Sequence, residues 1–152
     1  MILVDSPFEI SNVPNSLLLI PEIGLAHYGN LQLALNFVDL VAKLGLKVVK
    51  FQHHNCLYES SQNEQFRVSH EHFPFNNRYE YWKQTSFTTD EWSYLYSYVL
   101  DKGLSFSITP NSLQSAIFIK ENIPPCFWKV GSSDICNYQL LDFLVSTNTK
   151  SA

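Results

Sequence analysis

Six residues in the first third of the chain, Lys47 to Gln52, read Lys-Val-Val-Lys-Phe-Gln. Val48, Val49 and Phe51 suit a buried strand, while Lys50 and Gln52 put an amine and a carboxamide at its carboxyl end. Core packing has no use for either group. A strand that opens into a pocket does, because ligands of parallel α/β proteins sit beyond the carboxyl ends of the strands. The competing reading is that Lys50 snorkels to the surface. Three other places show the same pattern. Glu22 follows the apolar run Ser16 to Ile20, Thr109 closes the run from Leu104, and Lys129 lies inside Phe127 to Val130, followed by Ser132, Ser133 and Asp134. If these ends converge, they form a pocket with two ammonium groups, several hydroxyls and two carboxylates. Two lysines with hydroxyl and backbone donors suit a doubly anionic small ligand such as a phosphate ester. The carboxylates suit sugar hydroxyls or an acid–base step. The simpler alternative pairs Lys129 with Glu22 or Asp134 and leaves the hydroxyls to cap helices.

The elements that must position these groups follow from periodicity. Ser16 to Ile20 is a continuous apolar run suited to a strand buried on both faces. Asn30 can cap a helix to Leu44, with Leu31, Ala34, Leu35, Val38, Val41 and Ala42 on one face and Gly45 as its stop. Strand two follows at once, which makes a βαβ unit of about 30 residues. Residues 53–78 form a long irregular segment with four of the five histidines, and segments of that length usually carry function or cover a site. Tyr79 to Thr85 reads as a short helix. Thr88-x-x-Glu91 is a capping box that opens a helix to Lys102, stopped by Gly103. Strand three spans Leu104 to Thr109, and Asn111 or Ser112 caps a helix to Glu121. Strand four spans Phe127 to Val130, and a last helix runs from Asn137 to Ser146. The order βαβαβαβα predicts right-handed crossovers and a parallel sheet.

Composition narrows the function classes. The chain has 152 residues, 45% hydrophobic and 16% charged, which fits a single ordered domain. Residues 1–15, broken by Pro7 and Pro14, read as a lead-in. With a net charge of −4 and ten scattered Lys and Arg, there is no argument for a nucleic-acid surface. No stretch approaches the roughly 20 apolar residues of a membrane span, and Asp5 interrupts the first apolar residues too early for a signal peptide. Cys56, Cys126 and Cys136 are too few and too scattered for a disulfide framework, and free thiols fit a cytoplasmic location. Cys126 and Cys136 read as packing residues. His53-His54 and His70-x-His72 meet no fixed zinc spacing and read as solvated loop histidines. The aromatics Tyr79, Tyr81, Trp82, Trp92, Tyr94, Tyr96 and Tyr98 read as helix packing. There is no Gly-x-Gly-x-x-Gly, P-loop or Gly-x-Ser-x-Gly motif.

Four segments resemble a known family. Pro-Glu-Ile-Gly-Leu-Ala-His-Tyr-Gly-Asn (21–30), Val-Lys-Phe-Gln (49–52), Ile-Thr-Pro (108–110) and Trp-Lys-Val-Gly-Ser-Ser-Asp-Ile-Cys-Asn-Tyr-Gln-Leu-Leu (128–141) are similar to motifs of the N-acetylneuraminate (sialic acid) synthase family. The order and spacing agree over residues 16–148. Ala26 stands where that family usually has Asn, Ser133 where it has Gly, and Asn111 where Phe is common.

The resemblance implies an α/β fold of the (β/α)8, TIM-barrel type. Residues 16–152 would supply its amino-terminal half, about four parallel strands with helices outside, as a truncated half barrel. It implies condensation of phosphoenolpyruvate with N-acetylmannosamine or a related sugar aldehyde, with release of phosphate. By resemblance, Lys50, Thr109, Lys129 and Ser132 would hold phosphoenolpyruvate, and Glu22, Gln52 and Asp134 would contact the sugar. Glu22, Lys50 and Lys129 are the candidate catalytic groups. A divalent Mn or Mg ion is implied, with ligands on later strands that this chain lacks. Residues 147–150 resemble the approach to a fifth strand. An open half barrel exposes strand edges and interior, so the expected partner is a second copy or a complementary half-barrel chain. Two other readings stand beside this one: a different phosphoenolpyruvate-dependent sugar-acid synthase, and a non-catalytic phosphate- or sugar-binding half barrel.

Overall fold

The computed structural model describes residues 18–66 and 75–147. The predicted lead-in (1–15), Ser16, His70, His72 and residues 148–150 lie outside the described residues. Four parallel strands lie side by side in chain order: β1 (Glu22–Gly24), β2 (Val48–His53), β3 (Ser105–Pro110) and β4 (Phe127–Trp128). Helices α1 (Leu31–Lys43), α4 (Thr89–Asp101) and α5 (Leu113–Asn122) cross over between successive strands, and α6 (Tyr138–Ser146) follows β4. Two short helices, α2 (Cys56–Glu59) and α3 (Arg78–Thr85), lie between β2 and α4. The architecture is a partial parallel (β/α) barrel.

The local signals explain the helices. Asn30 accepts from the Leu33 N–H and opens α1. Thr88 and Glu91 form the reciprocal capping box of α4. Ser112, rather than Asn111, caps α5 by accepting from the Ser115 N–H. Asn137 caps α6. The apolar stripe of α1 (Ala34, Leu35, Val38, Val41) meets Trp92, Leu95 and Val99 of α4 and the outer face of the sheet in one core.

Strand one differs from expectation. The described part of the apolar run, 18–20, is not a strand, and Leu19 and Ile20 are exposed. The ladder begins at Pro21, whose carbonyl accepts from Lys50 N–H, and β1 proper is Glu22–Gly24. Ile20 lines a cavity together with Phe127, Trp128 and Leu144. Strand four is also shorter than expected. It ends at Trp128, although the Lys129 N–H still donates to the Ile108 carbonyl.

One close approach matters for the site. Gly29, at a φ of 76°, sits so near the carboxyl end of α3 that a Cβ there would lie 2.2 Å from the Gln84 carbonyl oxygen. Only glycine combines this left-handed backbone with that contact.

Candidate functional site

Register and alternation set the site. In a strand, alternate residues face opposite sides of the sheet. Val49 and Phe51 of β2 and Phe106 and Ile108 of β3 join the outer core beneath the helices. Val48, Lys50 and Gln52 therefore face the other side, opposite Ser105, Ser107 and Thr109 in register. On β1, Glu22 is the register partner of Lys50.

Lys50 is the centre of this inner face. It is 6% exposed, so it does not snorkel. Its Nζ donates to Thr109 Oγ1 at 3.0 Å and forms an ion pair with Glu22 Oε2. Burial holds its ammonium below the usual lysine range; Glu22 opposes that effect, and the nearby charge of Lys129 adds to it. Glu22, Lys50 and Lys129 line one cavity of about 540 Å³, closed by Ile20, Phe127 and side chains of α6. The ion pair to Glu22 is thus made by Lys50 and not by Lys129. A lysine buried beside a second lysine costs desolvation and repulsion that one half-exposed carboxylate only partly offsets. An anion between the two ammonium groups would relieve both.

The remaining predicted residues divide. Thr109 is brought to Lys50, as described. Gln52 lines a second cavity of about 610 Å³ on the other side of Glu22, together with Gly24, Tyr28, His54, Arg78, Tyr81 and Trp82. Ser132 and Asp134 line neither of these cavities. They form a 3-10 turn after β4, where Asp134 N–H donates to the Gly131 carbonyl and Asp134 Oδ2 accepts from Ser133 Oγ. A Cβ at Gly131 would lie 2.8 Å from Asp134 Oδ2, so a larger residue there would have to push that carboxylate aside.

Several residues of the second cavity escape a reading of the sequence alone. Trp82 was expected to pack a helix. Its ring instead stacks with His54 (4.8 Å, 11° between planes) and carries the Arg78 guanidinium 4.5 Å above it. His53 and His54 are not solvated. His53 packs on Phe118 and meets Ser115 Oγ, and burial pulls its pKa down to about 4 against the opposing charge of Glu59. His54 meets Glu59 Oε2 at 2.6 Å. The one sequence signal was Asn55, a helix cap placed immediately after the histidine pair. Other aromatics behave as expected: Trp92 is buried and Tyr96 packs edge-on against Phe106, although Tyr94 is exposed. Cys126 is partly buried, and burial pushes its thiol up to about 11, whereas Cys136, expected to pack, is exposed. All three cysteines are free.

Among the described residues, no three His, Cys, Asp or Glu side chains come together in a way that could hold a metal ion. The divalent ion implied by the resemblance therefore has no fitting donor set in this part of the chain. No helix among the described residues is long and apolar enough to cross a membrane.

Comparison with known proteins agrees with this layout. N-acetylneuraminate-9-phosphate synthases of Mus musculus and Homo sapiens are each 26% identical over 126 residues, which cover 82% of this chain and 34% of each relative. The chain thus spans about a third of the length of these curated relatives. The structure of N-acetylneuraminic acid synthetase from Leptospira borgpetersenii serovar Hardjo-bovis, in complex with citrate, superposes with a TM-score of 0.68 and 29% identity, covering 88% of this chain and 42% of that one. A spore coat polysaccharide biosynthesis protein of Bacillus subtilis shares the fold (TM-score 0.62, 23% identity, covering 90% of this chain and 36% of that one). The family model described as "NeuB family" matches residues 37–151, which is most of the chain, and the chain belongs to that family.

Proposed function

We propose that this chain carries the phosphoenolpyruvate-binding and part of the sugar-binding machinery of a sialic-acid-type synthase. The observation that carries the proposal is the buried Lys50 ammonium, held by Thr109 and Glu22 in a cavity it shares with Lys129. Two cations and a hydroxyl at the ends of adjacent strands suit the phosphate and carboxylate of phosphoenolpyruvate. In the proposed reaction, C3 of phosphoenolpyruvate forms a bond to the aldehyde carbon of an N-acetylmannosamine-type sugar, and the aldehyde oxygen takes a proton. Water adds at C2, and loss of inorganic phosphate restores the carbonyl. Glu22 borders both cavities, so it is the group placed to touch both reactants as an acid or base. Gln52 contacts the sugar. Ser132 and Asp134, which line neither cavity, are left out of the proposed contacts. The ligands of the divalent ion are assigned outside the described residues, and no step is derived through it.

Titration calorimetry with phosphoenolpyruvate tests the binding half of the proposal. The expected result is saturable binding that is lost in Lys50→Ala and in Lys129→Ala; unchanged affinity in both variants would remove the site. Phosphate release from phosphoenolpyruvate with Mn and a panel of amino sugars tests turnover. Binding without release would favour the non-catalytic reading for this chain alone.

A further inference from the structure

His54 sits at the head of a chain of polar groups that the lysine cavity does not use. Glu59, whose side chain is 5% exposed, receives the Asn55 N–H (2.7 Å), Ser112 Oγ (3.1 Å) and Ser115 Oγ (3.2 Å) on Oε1, and His54 Nδ1 on Oε2. A carboxylate buried this deeply needs that many partners, and together they fix its position. It in turn fixes the imidazole, because Nδ1–H is the hydrogen Glu59 accepts and Trp82 stacks on the ring face. The other ring nitrogen, Nε2, lies 3.3 Å from Gln52 Oε1 and 3.2 Å from Asn111 Nδ2; as the imidazolium of an ion pair with Glu59 it donates to Gln52 Oε1, whereas the neutral ring with Nδ1–H on Glu59 accepts from Asn111 Nδ2 instead. Asn111 is itself anchored, since its Nδ2 also donates to the His53 carbonyl. Gln52 and His54 both line the cavity wall, and it is the Gln52 carboxamide that lies beside Gly24 and Glu22.

We propose that His54, locked by Glu59, is a positioning residue that fixes the orientation of the Gln52 carboxamide and so sets which hydroxyl or carbonyl pattern of an acceptor sugar the cavity takes. The identity of the ligand rests on the proposed synthase function; the effect on Gln52 does not. The logic is that of a histidine whose second nitrogen is aimed by a carboxylate on the first. An unheld glutamine side chain loses rotamer freedom when a ligand fixes it, whereas one held in advance presents its donor and acceptor already oriented.

Two variants separate this role from packing. His54→Phe keeps an aromatic ring against Trp82 and removes both nitrogens. His54→Gln gives up the ring but returns a donor and an acceptor near Nε2. A packing role predicts that the Phe variant resembles the wild type and the Gln variant is the weaker. The positioning role predicts the reverse. The first readout is the side-chain amide proton pair of Gln52 by NMR in the intact chain without ligand. It should be dispersed and protected in the wild type and in His54→Gln, and collapse to free-amide positions in His54→Phe. An unchanged Gln52 pair in His54→Phe overturns the proposal. The second readout is affinity for N-acetylmannosamine and, separately, for phosphoenolpyruvate. Sugar affinity should fall about tenfold in His54→Phe, the worth of roughly one hydrogen bond, with phosphoenolpyruvate affinity unchanged. Equal sugar affinity in the wild type and His54→Phe also overturns it. If the wild type binds neither compound, the synthase reading fails, and the Gln52 resonances alone decide the role of His54.

Discussion

The two faces of the same sheet obey different rules. On the outer face, Val49, Phe51, Phe106 and Ile108 lie under the helices with Trp92, Leu95 and Val38, and the rings of Phe51 and Phe106 stack at 5.9 Å. On the inner face, the residues between them are Lys50, Gln52, Ser107 and Thr109, with Glu22 alongside. Both faces are largely buried, yet only one is apolar. Burial therefore does not distinguish core from site in this molecule; strand parity does. A shift of one residue in the β2–β3 register would exchange the two sets, so packing of the outer face is also what aims the inner one.

The comparison can be broken from either side. The largest effect is expected from Phe51→Ala, which opens a cavity in the outer core and should cost about 3–5 kcal/mol in denaturant unfolding. Loss of phosphoenolpyruvate binding in that variant would follow from unfolding and not from chemistry. Lys50→Met acts on the other side. Phosphoenolpyruvate affinity should fall at least about a hundredfold, or roughly 2.7 kcal/mol, while unfolding stability changes by less than about 1 kcal/mol, because Glu22 is half exposed and can turn to water. A variant that unfolds readily but binds normally would reverse the assignment of the two faces.

Acid should act through the outer face next. His27 is fully buried, stacks on Phe87 and has Nε2 without a hydrogen-bond partner among the described residues; burial lowers its pKa to about 4, the Gly24 backbone opposing. His53 is lowered to about 4 as well, chiefly by burial. Both start from an ordinary value of 6.5, so between pH 6.5 and 4 the unfolded chain binds more protons than the folded one. Their contribution is complete above pH 6.5 and is lost as pH falls through that window, each ring adding a slope of up to about 1.4 kcal/mol per pH unit. Urea unfolding at a series of pH values measures this, and a flat profile would mean that water reaches both rings. The smallest effect is expected at a helix end far from either cavity. Thr88→Ala removes the capping box of α4 and should cost about 1 kcal/mol, with ligand affinity unchanged.

Caps and crossovers were legible because they are local. Asn30, Thr88-x-x-Glu91, Gly45 and Gly103 each act within a few residues, and the helices they bound fell where the pattern put them. Strand one was misplaced because an apolar run does not by itself record hydrogen bonding. Ile20 lines a cavity, while the pairing register with β2 belongs to Glu22 and Gly24. That Glu22, Lys50 and Lys129 share one cavity could be inferred, since they lie on or just past neighbouring strands of one parallel sheet, although Glu22 opens β1 and Lys129 follows β4. The His54–Glu59–Gln52 chain could not. Its members meet through a four-residue helix in a segment with no periodicity, and Ser112 and Ser115, which complete it, arrive from α5 more than fifty residues later.

The close approach of Gly29 to the Gln84 carbonyl sets main chain against main chain where the turn after β1 meets α3. The turn after β1 supplies one wall of the second cavity and α3 the other, and this backbone contact sets how near they can approach. Divergence within the lineage could then repaint these walls at Ala26, Tyr28, Arg78 or Tyr81, but it could not bring the two backbones closer. Narrowing at this end would have to come from larger side chains in the lining.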